Sequence, residues 1–189
     1  MTRRLVILTE IISPYRIPLF NALAQDSSVD LHVIFMAETD PTLREWQVLK
    51  EEIQFSYQVL PAWRKRLGKY NVLLNRGMWR ALGAAAPDVI LCGGYNYVAS
   101  WQALAWAKVR NVPFVLWSES THHDLRRGHA AVELMKAEFL HHCSGFVVPV
   151  WMGMSNVKCR SIVLDDPCFG FGSVPSIQST AGARVLSTS

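Results

Sequence analysis

The sequence has few of the features that would assign it quickly. Its four cysteines, Cys92, Cys143, Cys159 and Cys168, form no C-x-x-C pair, which argues against a zinc site or a redox motif. Cys92 and Cys143 sit in or beside apolar runs and read as small core residues. No apolar run approaches the roughly 18 residues of a membrane-spanning helix. The opening run from Leu5 to Ile12 is too short for a secretory leader and is interrupted by Glu10. The expectation is a protein of the reducing cytoplasm. No G-x-G-x-x-G signature for a dinucleotide is present. Only 18% of the residues are charged, and the net charge of +4 falls short of the dense basic stripe of a nucleic-acid binder. Two local basic clusters, Arg64-Lys65-Arg66 and Arg126-Arg127, read as solvated surface. The alternative is contact with an anionic substrate or with head groups at the inner face of a membrane.

What is present is a core-forming composition, 50% hydrophobic over 189 residues, enough for one full domain and little more. Buried-strand runs recur at Arg4–Thr9, Asp30–Met36, Asp88–Cys92, Pro113–Trp117 and Gly145–Val148, with a more alternating strand at Ile53–Leu60. Helices are expected from Ser13-Pro14 to about Gln25, over Asn71–Ala85, over Val98–Arg110 and over Gly128–His142; Pro41–Glu52 is weakly helical. In the Gly128–His142 helix, Val132, Met135 and Phe139 are expected on one apolar face. Strand and helix alternate with short connections, which predicts an α/β fold, a Rossmann-like doubly wound parallel sheet. Ligands of such sheets bind beyond the carboxyl ends of the strands. The loops of interest are therefore Glu10–Arg16, Gly93–Tyr97 and Ser118–Arg127. The pattern ends at Pro149. Residues 150–189 are rich in Ser and Gly without helical period, and poor order is expected there.

Three segments carry a family resemblance: ISPYRIPLFNALA (Ile12–Ala24), DVILCGGYNYVASWQALAWAK (Asp88–Lys108) and PFVLWSES (Pro113–Ser120), the last followed by FVVP (Phe146–Pro149). In this order and spacing they resemble the N-terminal domain of bacterial family 4 glycosyltransferases. The resemblance implies residues 1–149 as the acceptor-side half of a GT-B fold, used in polysaccharide or glycolipid synthesis with retention of anomeric configuration. It implies a nucleotide-sugar as substrate, and no cofactor or metal. In that family a second domain holds the donor, and forty further residues are too few to build one. A frame-disrupted or truncated gene would give such an ending. The expected partners are a sugar or glycolipid acceptor and a separate donor-binding domain or second copy; nucleic acid is not expected.

Candidate site residues follow from the loops. Ser13, Pro14, Tyr15 and Arg16 occupy the first strand-to-helix turn, where a helix N-terminus and a guanidinium can receive a phosphate or another polar group. The competing reading makes Ser13 a simple cap and Arg16 a surface charge. Gly93 and Gly94 permit close backbone approach, Tyr95 can stack on a sugar face and Asn96 can bond its hydroxyls. The plainer alternative is a turn with Tyr95 packed inward. Ser118, Glu119 and Ser120 end the next strand. Glu119 stands where the family often has a His, so it is the candidate catalytic carboxylate, with His122 nearby. His141-His142 read as helix surface and Trp101 and Trp106 as core or interface. The competing function is a non-catalytic acceptor-binding or interaction module.

Overall fold

The computed structural model describes residues 2–40, 50–67, 70–118 and 130–147. Six strands form one parallel sheet: β1 (Arg3–Thr9), β2 (Val29–Phe35), β3 (Ser56–Val59), β6 (Val89–Cys92), β7 (Phe114–Trp117) and β8 (Gly145–Val147). Their spatial order is β3-β2-β1-β6-β7-β8. Strands β4 (Ala62–Leu67) and β5 (Tyr70–Asn75) form a separate antiparallel hairpin, inserted between β3 and helix α2 (Met78–Ala85). With the hairpin set aside, the order is that of the doubly wound Rossmann sheet, as the sequence predicts. Helices α1 (Ile17–Ala24), α3 (Val98–Arg110) and α4 (Ala130–His141) make other crossovers.

The alternation of side chains along each strand divides the interior in two. From β1, Val6 and Leu8 enter one core while Ile7 enters the other. From β6 and β7, Ile90, Cys92, Phe114 and Leu116 join Val6 and Leu8, together with side chains of α2, α3 and Phe139 of α4. On the opposite face Ile17 and Phe20 of α1 pack on Ile7, Val33, Phe35 and Phe55. Strands buried on both faces need apolar residues at every position, which is why β1 and β6 appear as continuous runs.

Four expectations require correction. Residues 71–85 are not one helix. Tyr70–Asn75 is a strand, and α2 begins at Met78 after Gly77, whose φ of 84° breaks the backbone between the two. The apolar spacing of NVLLN fits either period, and burial decides it: Leu73 faces in and Leu74 out, the alternation of a strand. The α4 face is also different: Phe139 is fully buried, but Val132 and Met135 are exposed. Arg64 is no solvated cation. Its guanidinium lies inside the molecule, paired with the buried Asp40 carboxylate, whereas Lys65 next to it is exposed. Strand β3 is shorter than the sequence suggests, at Ser56–Val59. The weak helix at 41–52 lies outside the described residues except for a short 3-10 turn at Lys50–Glu52. The 150–189 segment lies outside them altogether. No helix among the described residues is long and apolar enough to cross a membrane.

Candidate functional site

Strand order reverses between β1 and β6, because the chain moves outward from β1 through β2 to β3 and then returns to β1's other side. In sheets of this order the loops leaving the two strands diverge, and the crevice at their carboxyl ends is where ligands bind. Two of the three loops of interest are these. The third leaves β7, the next strand along.

Arg16 is the centre of the arrangement. It ends a 3-10 turn, Pro14–Arg16, that starts after the extended residue Ser13, and the Arg16 N–H donates to the Ser13 carbonyl at 2.9 Å. Proline sits in the first turn, where its missing N–H has no helical partner to lose. The Arg16 Nη1 donates to Thr9 Oγ1 at 2.8 Å, and its guanidinium lies 4.8 Å from the Trp117 ring and 5.5 Å from that of Tyr15. A Cβ built on Gly93 would lie 3.6 Å from Arg16 Nη1 and 3.5 Å from the Leu8 carbonyl oxygen. The β6 loop therefore lies within van der Waals reach of the guanidinium. The ends of β1, β6 and β7 thus meet around one cation, drawing together the three sequence segments named above. Ser13 is buried, and its side chain makes no capping bond. Tyr15 is exposed.

The β6 loop contributes less polar chemistry than its composition suggests. The Gly93 N–H donates to the Leu8 carbonyl at 2.8 Å and so belongs to the sheet ladder. Gly94 has a φ of 131°, a conformation that side chains resist. Tyr95 is half-buried, its ring 5.9 Å from Phe139, and its carbonyl accepts from Trp101 Nε1 at 3.2 Å. Asn96 is exposed. Ser118 is half-buried and its N–H donates to the Val147 carbonyl at 2.9 Å. Glu119, Ser120 and His122 lie outside the described residues.

A second polar group adjoins the same strand ends. Glu10 follows β1 directly, and its Oε1 lies 3.6 Å from Arg64 Nη2, a residue of β4. Arg64 also pairs with Asp40, which follows β2. Tyr97, just ahead of α3, donates its hydroxyl to Glu10; burial and then the Glu10 carboxylate raise its pKa, keeping the phenol protonated. Sequence reading found the Glu10 and Tyr97 loops but not Arg64 or Asp40. Their pairing spans 24 positions, and the strand that delivers Arg64 falls between the elements the sequence predicts, its hairpin partner Tyr70–Asn75 lying mostly in the expected helix Asn71–Ala85. Burial pushes the Cys92 thiol up to about 12, so it is a core group and no thiolate nucleophile. Among the described residues no cluster of His, Cys, Asp and Glu is placed to hold a metal ion.

No family model matches the sequence, and no curated protein matches it. Among solved structures the chain is similar to a Listeria monocytogenes protein assigned as a UDP-N-acetylglucosamine 2-epimerase, with TM-score 0.49 and 13% identity over 79% of this chain and 40% of that one. It is also similar to the glycosyltransferase GlyE of Streptococcus pneumoniae TIGR4. The apo form gives TM-score 0.36 and 14% identity, and a second structure 0.35 and 11%, each over 76% of this chain and 33% of that one. The chain spans less than half the length of these proteins. At such scores the doubly wound assignment stands on strand order and register alone.

Proposed function

We propose that this chain is an acceptor-binding domain of a GT-B glycosyltransferase, holding a sugar or glycolipid acceptor at the crevice between β1 and β6. The observation that carries this reading is the convergence of Arg16, Gly93 and Trp117, one from each segment that resembles family 4 enzymes, at the ends of adjacent strands. A guanidinium held by Thr9 and backed by an indole is oriented before any ligand arrives. It suits a phosphate or a cluster of hydroxyls, because its fork of donors is fixed in direction. Tyr15 beside it and Asn96 on the β6 loop are exposed and supply a ring face and an amide. Glu119, at the end of the β7 segment, is the candidate carboxylate for the acceptor hydroxyl.

The transfer itself joins the acceptor oxygen to the anomeric carbon of a nucleotide-sugar and releases the nucleoside diphosphate. Holding both reactants together can lower the barrier by about 7–11 kcal/mol at best, and the departing diphosphate needs donors aimed at its growing charge. On this reading both of those belong to a donor-binding domain or a second copy. The chain by itself therefore binds acceptor weakly and transfers nothing.

The test is a titration of the isotope-labelled chain with oligosaccharides and with a short-chain glycolipid, followed by amide NMR. Shifts are expected at Glu10–Arg16 and Gly93–Tyr97, and Arg16→Ala should weaken binding at least about tenfold, as for loss of a charge-assisted hydrogen bond. Mass spectrometry with a panel of nucleotide-sugars should show no product from the chain alone. Product formed by the chain alone, or acceptor shifts confined to other surfaces, would overturn the reading.

A further inference from the structure

We propose that the outer face of the β4–β5 hairpin is a docking surface for an anionic lipid bilayer. From Ile53 to Pro87 the chain carries six basic residues, Arg64, Lys65, Arg66, Lys69, Arg76 and Arg80, and no acidic one. Beyond β3 this stretch forms the hairpin, which is a sheet separate from the parallel one, and then α2. The register pairs Trp63 with Leu74, Arg64 with Leu73 and Lys65 with Val72. Directly opposed residues share a face, and successive pairs alternate. Arg64 and Leu73 therefore point inward together, into the ion pair with Asp40 and the core. Trp63, Leu74 and Lys65 point the other way. Trp63 is 55% exposed and Leu74 39%.

The outward pair is not an isolated apolar spot. Pro61, Ala62, Trp63, Leu74 and Arg76 line one shallow depression of about 530 Å³. Exposed Trp79 and Arg80 follow on the first turn of α2. An indole beside aliphatic side chains, bordered by cations with no carboxylate in the same stretch, complements the boundary between anionic head groups and acyl chains. The cations draw the surface toward negative lipid, each strengthening partitioning about fivefold near the surface. The apolar pair then enters the head-group layer. A single-stranded RNA would also meet the cations and could stack on Trp63, but the Pro61, Ala62 and Leu74 side chains around the indole give it no second stacking face and no hydrogen-bonding group, whereas they suit acyl chains. The inward ion pair holds the hairpin against the domain, so the surface is presented in a fixed orientation. It lies on the face of the hairpin opposite Arg64, and the proposal stands independently of the carbohydrate reading.

The experiment is flotation of the full chain with phosphatidylglycerol-containing vesicles and with pure phosphatidylcholine vesicles. Flotation is expected with the first only, and it should be lost at high salt. Lys65→Gln combined with Arg76→Gln should weaken partitioning about twentyfold, and Trp63→Ala about tenfold. Lys108→Gln combined with Arg110→Gln, on the exposed side of α3, should leave it unchanged, with circular dichroism confirming that every variant is folded. No flotation, or flotation indifferent to the hairpin variants, would overturn the proposal. So would a chain that ignores vesicles and retains single-stranded RNA through the same residues.

Discussion

A carboxylate as deeply buried as that of Asp40, with its side chain 2% exposed, needs a cation beside it, and Arg64 reaches in from the hairpin to supply one. The same guanidinium faces Glu10 at the end of β1, so one side chain ties the hairpin to the strand ends that border the candidate site. Arg64→Ala should therefore destabilise the protein by about 3–5 kcal/mol, the usual cost of removing one member of a buried pair. The double replacement Arg64→Met with Asp40→Leu should recover most of that loss, because no charge is then left inside. Urea titration monitored by circular dichroism measures both. A loss below about 1 kcal/mol for Arg64→Ala would mean that the pair is effectively solvated. At this scale legibility followed locality. The burial of Cys92 and Cys143 could be read from their apolar neighbours. The role of Arg64 could not, because a run of three basic residues looks like solvated surface until a partner from another element is brought to it.

Strands of the parallel sheet other than the edge strand β3 were legible within a residue, since a strand covered on both faces has few polar positions to confuse its run. The hairpin escaped detection for the opposite reason. Its inward residues include Arg64 and Asn75 and its outward ones Trp63 and Leu74, so polarity does not follow its alternation. Helix α4 was placed well, but its burial was not, and the difference has a measurable consequence. Among its described side chains Phe139 alone anchors it deeply, packing edge-on against Trp101 at 4.9 Å and Phe114 at 5.8 Å between ring centroids. Phe139→Ala should cost about 3–5 kcal/mol, combining lost burial with a cavity that fixed aromatic neighbours cannot fill. Leu134→Ser, at a position 71% exposed, should stay within about 0.5 kcal/mol. Thermal and urea denaturation of the two variants distinguishes one anchor from a continuous apolar face; equal losses would show that Leu134 is covered in solution.

In the whole molecule, the two cores share the sheet that separates them, and β1 is their common wall. It pairs along its full length with β2 and over four residues with β6, while Val6, Ile7 and Leu8 are fully buried between the layers. The doubly wound order was legible because each crossover leaves its mark in the chain as a helix-length polar–apolar pattern between two buried runs. The site was legible only as a set of loops; which side chains meet there depended on Arg16 folding back over Thr9 and Trp117, contacts that no spacing encodes. This architecture also dictates how the molecule opens. Exposing a β1 amide requires breaking pairings on both sides and separating both cores, so those amides should exchange only through global unfolding. The hairpin forms its own two-stranded sheet, so its amides can be released without disturbing the parallel one. Hydrogen exchange should thus divide the chain: Leu5–Leu8 and Ile90–Cys92 should share the global opening free energy and its full denaturant dependence. Lys65 and Val72–Leu74 should exchange through a smaller opening with a weaker dependence. Arg64→Ala should lower hairpin protection further, because the ion pair that fastens it is gone, while the difference between β1 and β6 stays near zero. If wild-type hairpin amides exchange with the same free energy and slope as β1, the insertion is instead integral to the cooperative unit, and the loss in Arg64→Ala must appear equally in every strand.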